Sequence, residues 1–132
     1  MTIQNKPNLL VIYTDQQSLW TMGCYRGNII DTPNIDFLAK QGALFKNFFT
    51  TSAVCTPSRG CFMTGRYPFA HGAFRNWKPI NQNEITLAHI LEKRGYNTGY
   101  AGKWHMDGED SPGWIKPDRS MGFVDCKYMF NC

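Results

Sequence analysis

The sequence has no C-x-x-C pair, no cluster of basic residues and no apolar run long enough to cross a bilayer, and each absence excludes a class of function. Its five cysteines, Cys24, Cys55, Cys61, Cys126 and Cys132, are odd in number, so at least one stays unpaired. Neither a full disulfide framework nor a zinc knuckle fits that spacing, and reduced thiols are the default. The formal charge of +4, from 14 Lys and Arg against 10 Asp and Glu, is spread thinly, with no stripe to track a phosphate backbone. Nucleic-acid binding therefore has no support. The opening "MTIQNKP" is polar and leads into "NLLVIYT", which is too short to span a membrane and lacks a basic flank with a small-residue cleavage site. No membrane segment and no targeting segment is read in it, and the cytoplasm is the default compartment. Repeats and low-complexity tracts are missing as well.

What is present is a core. With 132 residues, 42% of them hydrophobic and 14% aromatic, the chain can bury enough apolar surface to fold, which argues against disorder. Residues 8–14 form a continuous apolar run with β-branched members, the pattern of a strand buried on both faces of a parallel sheet. The stretch "DTPNIDFLAKQG" reads as a helix, with Thr32 as N-cap, Pro33 at the first helical position, Ile35, Leu38 and Ala39 on one face, and Gly42 as its stop. A strand over "ALFKNFF" is expected next, then a short helix from Pro57 through Met63 ended by Gly65. "NEITLAHILEKRG" predicts a second clear helix with Asn83 as N-cap and Gly95 as stop, followed by a strand over "YNTGYA". Strands alternating with helices define an α/β domain with a mainly parallel sheet. Residues 106–132 read as irregular, and three strands with two or three helices leave such a sheet without cover, so the chain is expected to be a fragment of something larger.

In open parallel sheets, ligands bind beyond the carboxyl ends of the strands. Three polar clusters fall at such ends. Asp15 and Gln16 offer a carboxylate and an amide carbonyl, hard oxygen donors suited to Ca²⁺ or Mg²⁺, although an Asp there caps a turn equally well. Cys55 to Arg59 lie just before and inside a helix N-terminus, where free N–H groups favour an anion. Alone, Cys55 reads as a small buried residue and Arg59 as a surface charge. In "GKWH", a continuing strand would put Lys103 and His105 on one face with Trp104 on the other. A snorkelling lysine and a structurally satisfied histidine explain that stretch taken by itself. Three such explanations holding at three strand ends are harder to accept than one site.

The stretch "CTPSRGCFMTG" resembles the signature of the sulfatase family, a Cys/Ser-x-Pro-Ser-Arg segment closing on Thr-Gly. "NLLVIYTDQQ", "DTPNIDFLAKQGALFKNFF", "TGRYPFAHG" and "ITLAHILEKRGYNTGYAGKWH" follow the family's order and spacing, so the resemblance covers most of residues 8–105. It implies an alkaline-phosphatase-like α/β fold, of which residues 1–132 would be the N-terminal portion of a single, much longer catalytic domain. It implies a sulfuric ester hydrolase acting on a small-molecule or carbohydrate sulfate ester. It further implies that Cys55 is converted to formylglycine (3-oxoalanine) by a formylglycine-generating enzyme that reads Cys55, Pro57, Ser58 and Arg59. Asp15, Gln16 and the modified Cys55 would be metal ligands, for Ca²⁺ first and Mg²⁺ or Mn²⁺ as alternatives. Arg59 would hold the aldehyde hydrate, Lys103 would bridge it to a sulfate oxygen, and His105 would accept its second proton.

Chemistry gives that conversion a reason. A thiolate attacking sulfur would be left as a thiosulfate it could not readily discharge, whereas an aldehyde hydrate attacks with one hydroxyl and expels sulfate by re-forming its C=O. The chain departs from many relatives in carrying Gln16 where they have a second carboxylate, which removes a charge from the metal site. The family's remaining metal ligands and a further His and Lys at the sulfate lie beyond this sequence, so the 132 residues alone are expected to be inactive. Two other readings stay open: a phosphonate monoester or phosphodiester hydrolase of the same superfamily, and a non-catalytic fragment. Cys61 is expected to pack on its helix, His71 could border the pocket, and His89 reads as structural. Export is common among relatives, so periplasmic or secreted locations remain compatible.

Overall fold

A computed structural model of the chain describes residues 6–25, 27, 29–108, 113–115 and 119–131. They fall into two compact units, residues 1–48 and 49–132.

In the first unit a 3₁₀ turn, Leu19–Thr21, precedes helix α1, Pro33–Gln41. The helix begins and ends where the sequence expects, with Pro33 in its first turn and the Gly42 N–H returning to Leu38 O at 2.9 Å. Thr32 flanks it without capping it. Its hydroxyl instead donates to Asp36 Oδ1 (3.1 Å) and accepts from the Gly23 N–H (2.9 Å), while Asp36 Oδ1 also takes the Cys24 N–H (2.7 Å). One helical carboxylate thus ties down the loop in front of its own helix. The strands expected over 8–14 and 43–49 are not formed: the first run is irregular and exposed, Leu10 to 83% and Ile12 to 74%, and the second contains a turn at 46–47. The reason is physical. A parallel strand exists through the hydrogen bonds of its neighbours, and among the described residues no ladder pairs with either run.

The second unit carries α2 (Cys55–Thr64), α3 (Pro68–His71), α4 (Leu87–Lys93), and strands β1 (Gly99–Lys103), β2 (Gly113–Trp114) and β3 (Asp125–Asn131). The sheet order is β1-β3-β2, with β1 parallel and β2 antiparallel to β3. It is a mixed piece of an α/β domain. Its core gathers Met63, Ala73, Ile80, Trp104, Met106, Met121 and Met129, with Tyr100, Ile115 and Phe123 packed against them. Tyr100, Trp104 and Phe123 meet edge to face, with centroids 5.1 to 6.4 Å apart.

Three expectations are corrected here. The tail is not irregular, because "DCKYMFN" forms β3, the central strand of the sheet, with Met129 and Asn131 buried. The strand expected at 96–101 runs from 99 to 103, and just before it the Thr98 carbonyl accepts the N–H groups of Val124 and Asp125. The helix of "NEITLAHILEKRG" starts at Leu87, capped by Thr86 and not Asn83. Thr86 and His89 form a reciprocal cap in which the Thr86 N–H donates to His89 Nδ1 (3.1 Å), and the Thr86 hydroxyl also donates to Met121 O (2.6 Å). His89 is structural, as expected. α2 is longer than expected at both ends, and Gly65 stops it in the left-handed conformation (φ 67°) that a glycine adopts without strain.

Candidate active site

The "CTPSR" segment is the first turn and a half of α2. Val54 is extended and accepts the Ser58 N–H at 3.0 Å, which sets Cys55 as the first helical residue. Val54 has no side-chain oxygen to cap the free amides behind it. A residue twenty positions on does so: Asn76 Oδ1 accepts the Thr56 N–H at 3.0 Å. Cys55 itself is half-buried at this helix start, where the macrodipole favours negative charge.

The motif's side chains reach the end of β1. Arg59, 5% exposed, donates from Nη1 to Lys103 O at 2.6 Å, and the Thr56 hydroxyl donates to His105 O at 2.8 Å. Tyr100 Oη donates to Lys103 O as well (2.6 Å). Lys103 is the last residue of β1, Trp104 is fully buried, and His105 turns out of the strand with φ 57°. The expected continuation of the strand through His105 therefore does not occur. The strand end nevertheless meets the first turn of α2, because two motif side chains bind its carbonyls. His105 is buried, and its ring lies edge to face with Trp77, centroids 4.5 Å apart. Ser58 faces Thr50 with oxygens 3.2 Å apart; since Thr50 already donates to Ser52 O, Ser58 is the donor.

Beneath the helix, His71 is fully buried against Gly60, where any Cβ would come within 2.4 Å of His71 Cε1. The Ala73 N–H donates to His71 Nδ1 (3.2 Å), which places the ring proton on Nε2, 3.5 Å from Cys61 Sγ. Burial pushes the His71 pKa below its ordinary value, opposed by the nearby Glu84 carboxylate. His71 is thus a support under α2 and Cys61 packs on it. Glu84 in turn receives Arg66 Nη1 on both oxygens, at 2.8 and 2.9 Å.

Asp15 and Gln16 belong to the first unit, on an exposed bend where Gln16 holds φ 54°. Both are hard oxygen donors, the right type for a divalent cation, but among the described residues no group of three or more His, Cys, Asp or Glu could hold one. Sequence reasoning missed Asn76 and Trp77. They sit in an aromatic loop with no periodic signal, and their partners lie twenty or more residues away.

The fold is a piece of the alkaline-phosphatase-like α/β architecture. A solved sulfatase structure from Bacteroides thetaiotaomicron, described with its metabolism of glycosaminoglycans, superposes with a TM-score of 0.76 at 37% identity, over 92% of this chain and 28% of its own. A solved structure holding its substrate D-glucosamine-2-N,6-O-disulfate superposes with a TM-score of 0.68 at 37% identity, over 72% of this chain and 19% of its own. A phosphonate monoester hydrolase of Agrobacterium radiobacter shares the fold at 24% identity and a TM-score of 0.70.

The family profile described as Sulfatase matches residues 7–123, and an ulvan-active sulfatase of Formosa agariphila is 36% identical over 131 residues, 96% of this chain and 26% of the relative. Human arylsulfatase A is 37% identical over 114 residues. The chain belongs to the sulfatase family. It spans about a quarter of the length of the curated relatives it matches.

Proposed function

We propose that the protein to which this chain contributes hydrolyses sulfate monoesters, and that residues 1–132 form the N-terminal part of its catalytic domain, inactive without the rest. The observation that supports the reading is the bonding of the "CTPSR" turn to residues 103 and 105: Arg59 on Lys103 O and Thr56 on His105 O hold the main chain after β1 against the first turns of α2. The sulfated glucosamine and ulvan named for relatives make a sulfated carbohydrate the favoured substrate class.

Asp15 and Gln16 would be ligands of the divalent cation, Ca²⁺ before Mg²⁺ or Mn²⁺; two protein side chains are fewer than a hard cation needs, so other oxygen donors would complete the set. Cation and aldehyde hydrate together would supply a nucleophilic oxygen of lowered pKa and neutralise the sulfate. The residues of this chain orient and move protons around it. The α2 N-terminus places residue 55 where free amides favour an anion. Arg59, fixed by its bond to Lys103 O, would hold the aldehyde hydrate with its remaining N–H groups. The Lys103 ammonium is a point charge for a sulfate oxygen, and a ring nitrogen of His105 takes the proton whose loss lets sulfate leave. Pro57, Ser58 and Arg59 complete the tag read by a formylglycine-generating enzyme.

Mass spectrometry of the full-length protein, made in a host with the maturing enzyme, tests this directly. Conversion of Cys55 lowers the peptide mass by about 18 Da, as the thiol is replaced by an aldehyde oxygen. Converted protein should favour an aryl sulfate over an aryl phosphonate; an intact thiol in active protein, or the opposite preference, overturns the reading.

A further inference from the structure

The turn Arg75 to Lys78 touches the start of α2 and the end of β1 at once. Its Asn76 caps the Thr56 N–H, and its Trp77 ring meets His105. Four non-glycine residues among those described hold a positive φ, and two of them are these ring partners, Trp77 at 63° and His105 at 57°. Strained backbone persists only where the surroundings over-determine it, and it gathers at functional sites.

The surroundings here do over-determine it. The Lys78 N–H closes on Arg75 O (3.2 Å), and the Ile80 N–H bonds Met106 O (2.9 Å), one residue past His105. Gly108 packs on the same turn, where a Cβ would stand 3.3 Å from Trp77 O and 3.2 Å from Pro79 Cδ. The indole therefore approaches from a turn docked along residues 106–108 and not from a loose loop. It is 37% exposed while His105 is 5% exposed, so the tryptophan covers the histidine. An edge-to-face pair at 68° between planes resists rotation of the imidazole, which an aliphatic side chain of similar volume would permit.

We infer that Trp77 is a positioning residue for the reaction, fixing the angle at which the His105 ring takes its proton. The inference rests on the role proposed above for His105, and nothing in the sulfatase signature contains it. Full-length protein with Cys55 conversion verified by mass is compared as parent, Trp77→Leu, Trp77→Phe, His105→Ala and the double variant Trp77→Leu/His105→Ala. Displacing a general base by a fraction of an ångström should lower kcat about 10- to 100-fold in Trp77→Leu with KM within about threefold. Trp77→Phe, which keeps an aromatic edge, should return to within about threefold of the parent. The double variant should be no slower than His105→Ala by more than about twofold, because Trp77 acts only through that ring. In metal-free protein the His105 ring protons should shift in Trp77→Leu as they lose the neighbouring ring current. Multiplicative losses in the double variant, a change in KM alone, or unshifted ring protons overturn the inference while leaving the sulfatase reading intact. A harmless His105→Ala overturns both the proton role and what is built on it. Should Trp77→Leu not fold, Trp77→Met carries the same cycle.

Discussion

Thr56→Val removes one hydroxyl from the seam between α2 and β1 and keeps the side-chain shape. Thr56 is fully buried, and its hydroxyl donates to His105 O at 2.8 Å across 49 residues of sequence. A net hydrogen bond is worth about 1 kcal/mol, and leaving a buried carbonyl unpaired raises the cost to about 1–3 kcal/mol. Valine at the second position of a helix adds only a few tenths through propensity. Thr56→Ser keeps the donor and loses one methyl group, worth about 1 kcal/mol of burial. The two variants therefore separate hydroxyl from methyl. Equilibrium denaturation of the full-length protein should show Thr56→Val destabilised by about 1–3 kcal/mol, and hydrogen exchange should quicken at the first-turn amides of α2. kcat should fall as well, since the His105 backbone loses its anchor. A Thr56→Val protein within about 0.3 kcal/mol of the parent, with unchanged exchange at residues 56–59, would refute the seam as the device that assembles the site.

Other substitutions probe the support beneath the helix. Gly60→Ala should destabilise by about 1–3 kcal/mol despite alanine's better helix propensity, because its Cβ would fall 2.4 Å from His71 Cε1 and the ring has no exposed direction in which to yield; a higher thermal midpoint for Gly60→Ala would show that the ring can move. His71 makes stability pH-dependent with a definite sign. Its folded pKa lies below the ordinary 6.5, so below that pH the unfolded chain binds the extra proton and stability falls until the folded pKa is passed. A His71→Gln protein should lose that acid-side slope, and one that keeps it would assign the slope to another group. Glu84→Gln removes the carboxylate that opposes the lowering, so the His71 titration followed by NMR should move to still lower pH; an upward move would contradict the charge assignment.

Helix boundaries were legible wherever a local device marks them. Pro33 with Gly42, and Gly65 after Met63, announce their ends through backbone rules that need no partner. Asn83 misled because its position mimics a cap, while the true cap, Thr86, is confirmed by a bond to Met121 that only the fold creates. Strands were less legible. The apolar runs at 8–14 and 43–49 carry the composition of buried strands but join no ladder among the described residues, and β3 hides in "DCKYMFN", where Asp125, Lys127 and Asn131 dilute the apolar pattern. The motif residues were readable by type, and Arg59 and Thr56 do bond the main chain at residues 103 and 105. Those bonds run through carbonyls, which no sequence pattern displays, and Asn76 and Trp77 enter only through contacts across long separations.

Those carbonyl bonds separate scaffold from chemistry. Arg59 and Thr56 grip the main chain at residues 103 and 105, so the strand end is tied to α2 through carbonyls that any side chain at those positions would leave in place. Substituting Lys103 by alanine should then leave the seam formed while kcat falls by at least about 100-fold, whereas His105→Ala, which empties a buried ring position against Trp77, should lose stability as well as activity. Arg59 stands on the other side of this division. It is buried and donates to Lys103 O, so Arg59→Ala takes one donor from that carbonyl, to which Tyr100 also donates, and opens a cavity at the helix start. It should lose stability and activity together, whereas Arg59→Lys, which keeps the charge without the planar fork, should recover part of the stability and little of the activity. A Lys103→Ala protein that unfolds as readily as Arg59→Ala would show that the strand end is held by side chains after all, and the division between scaffold and chemistry would fail.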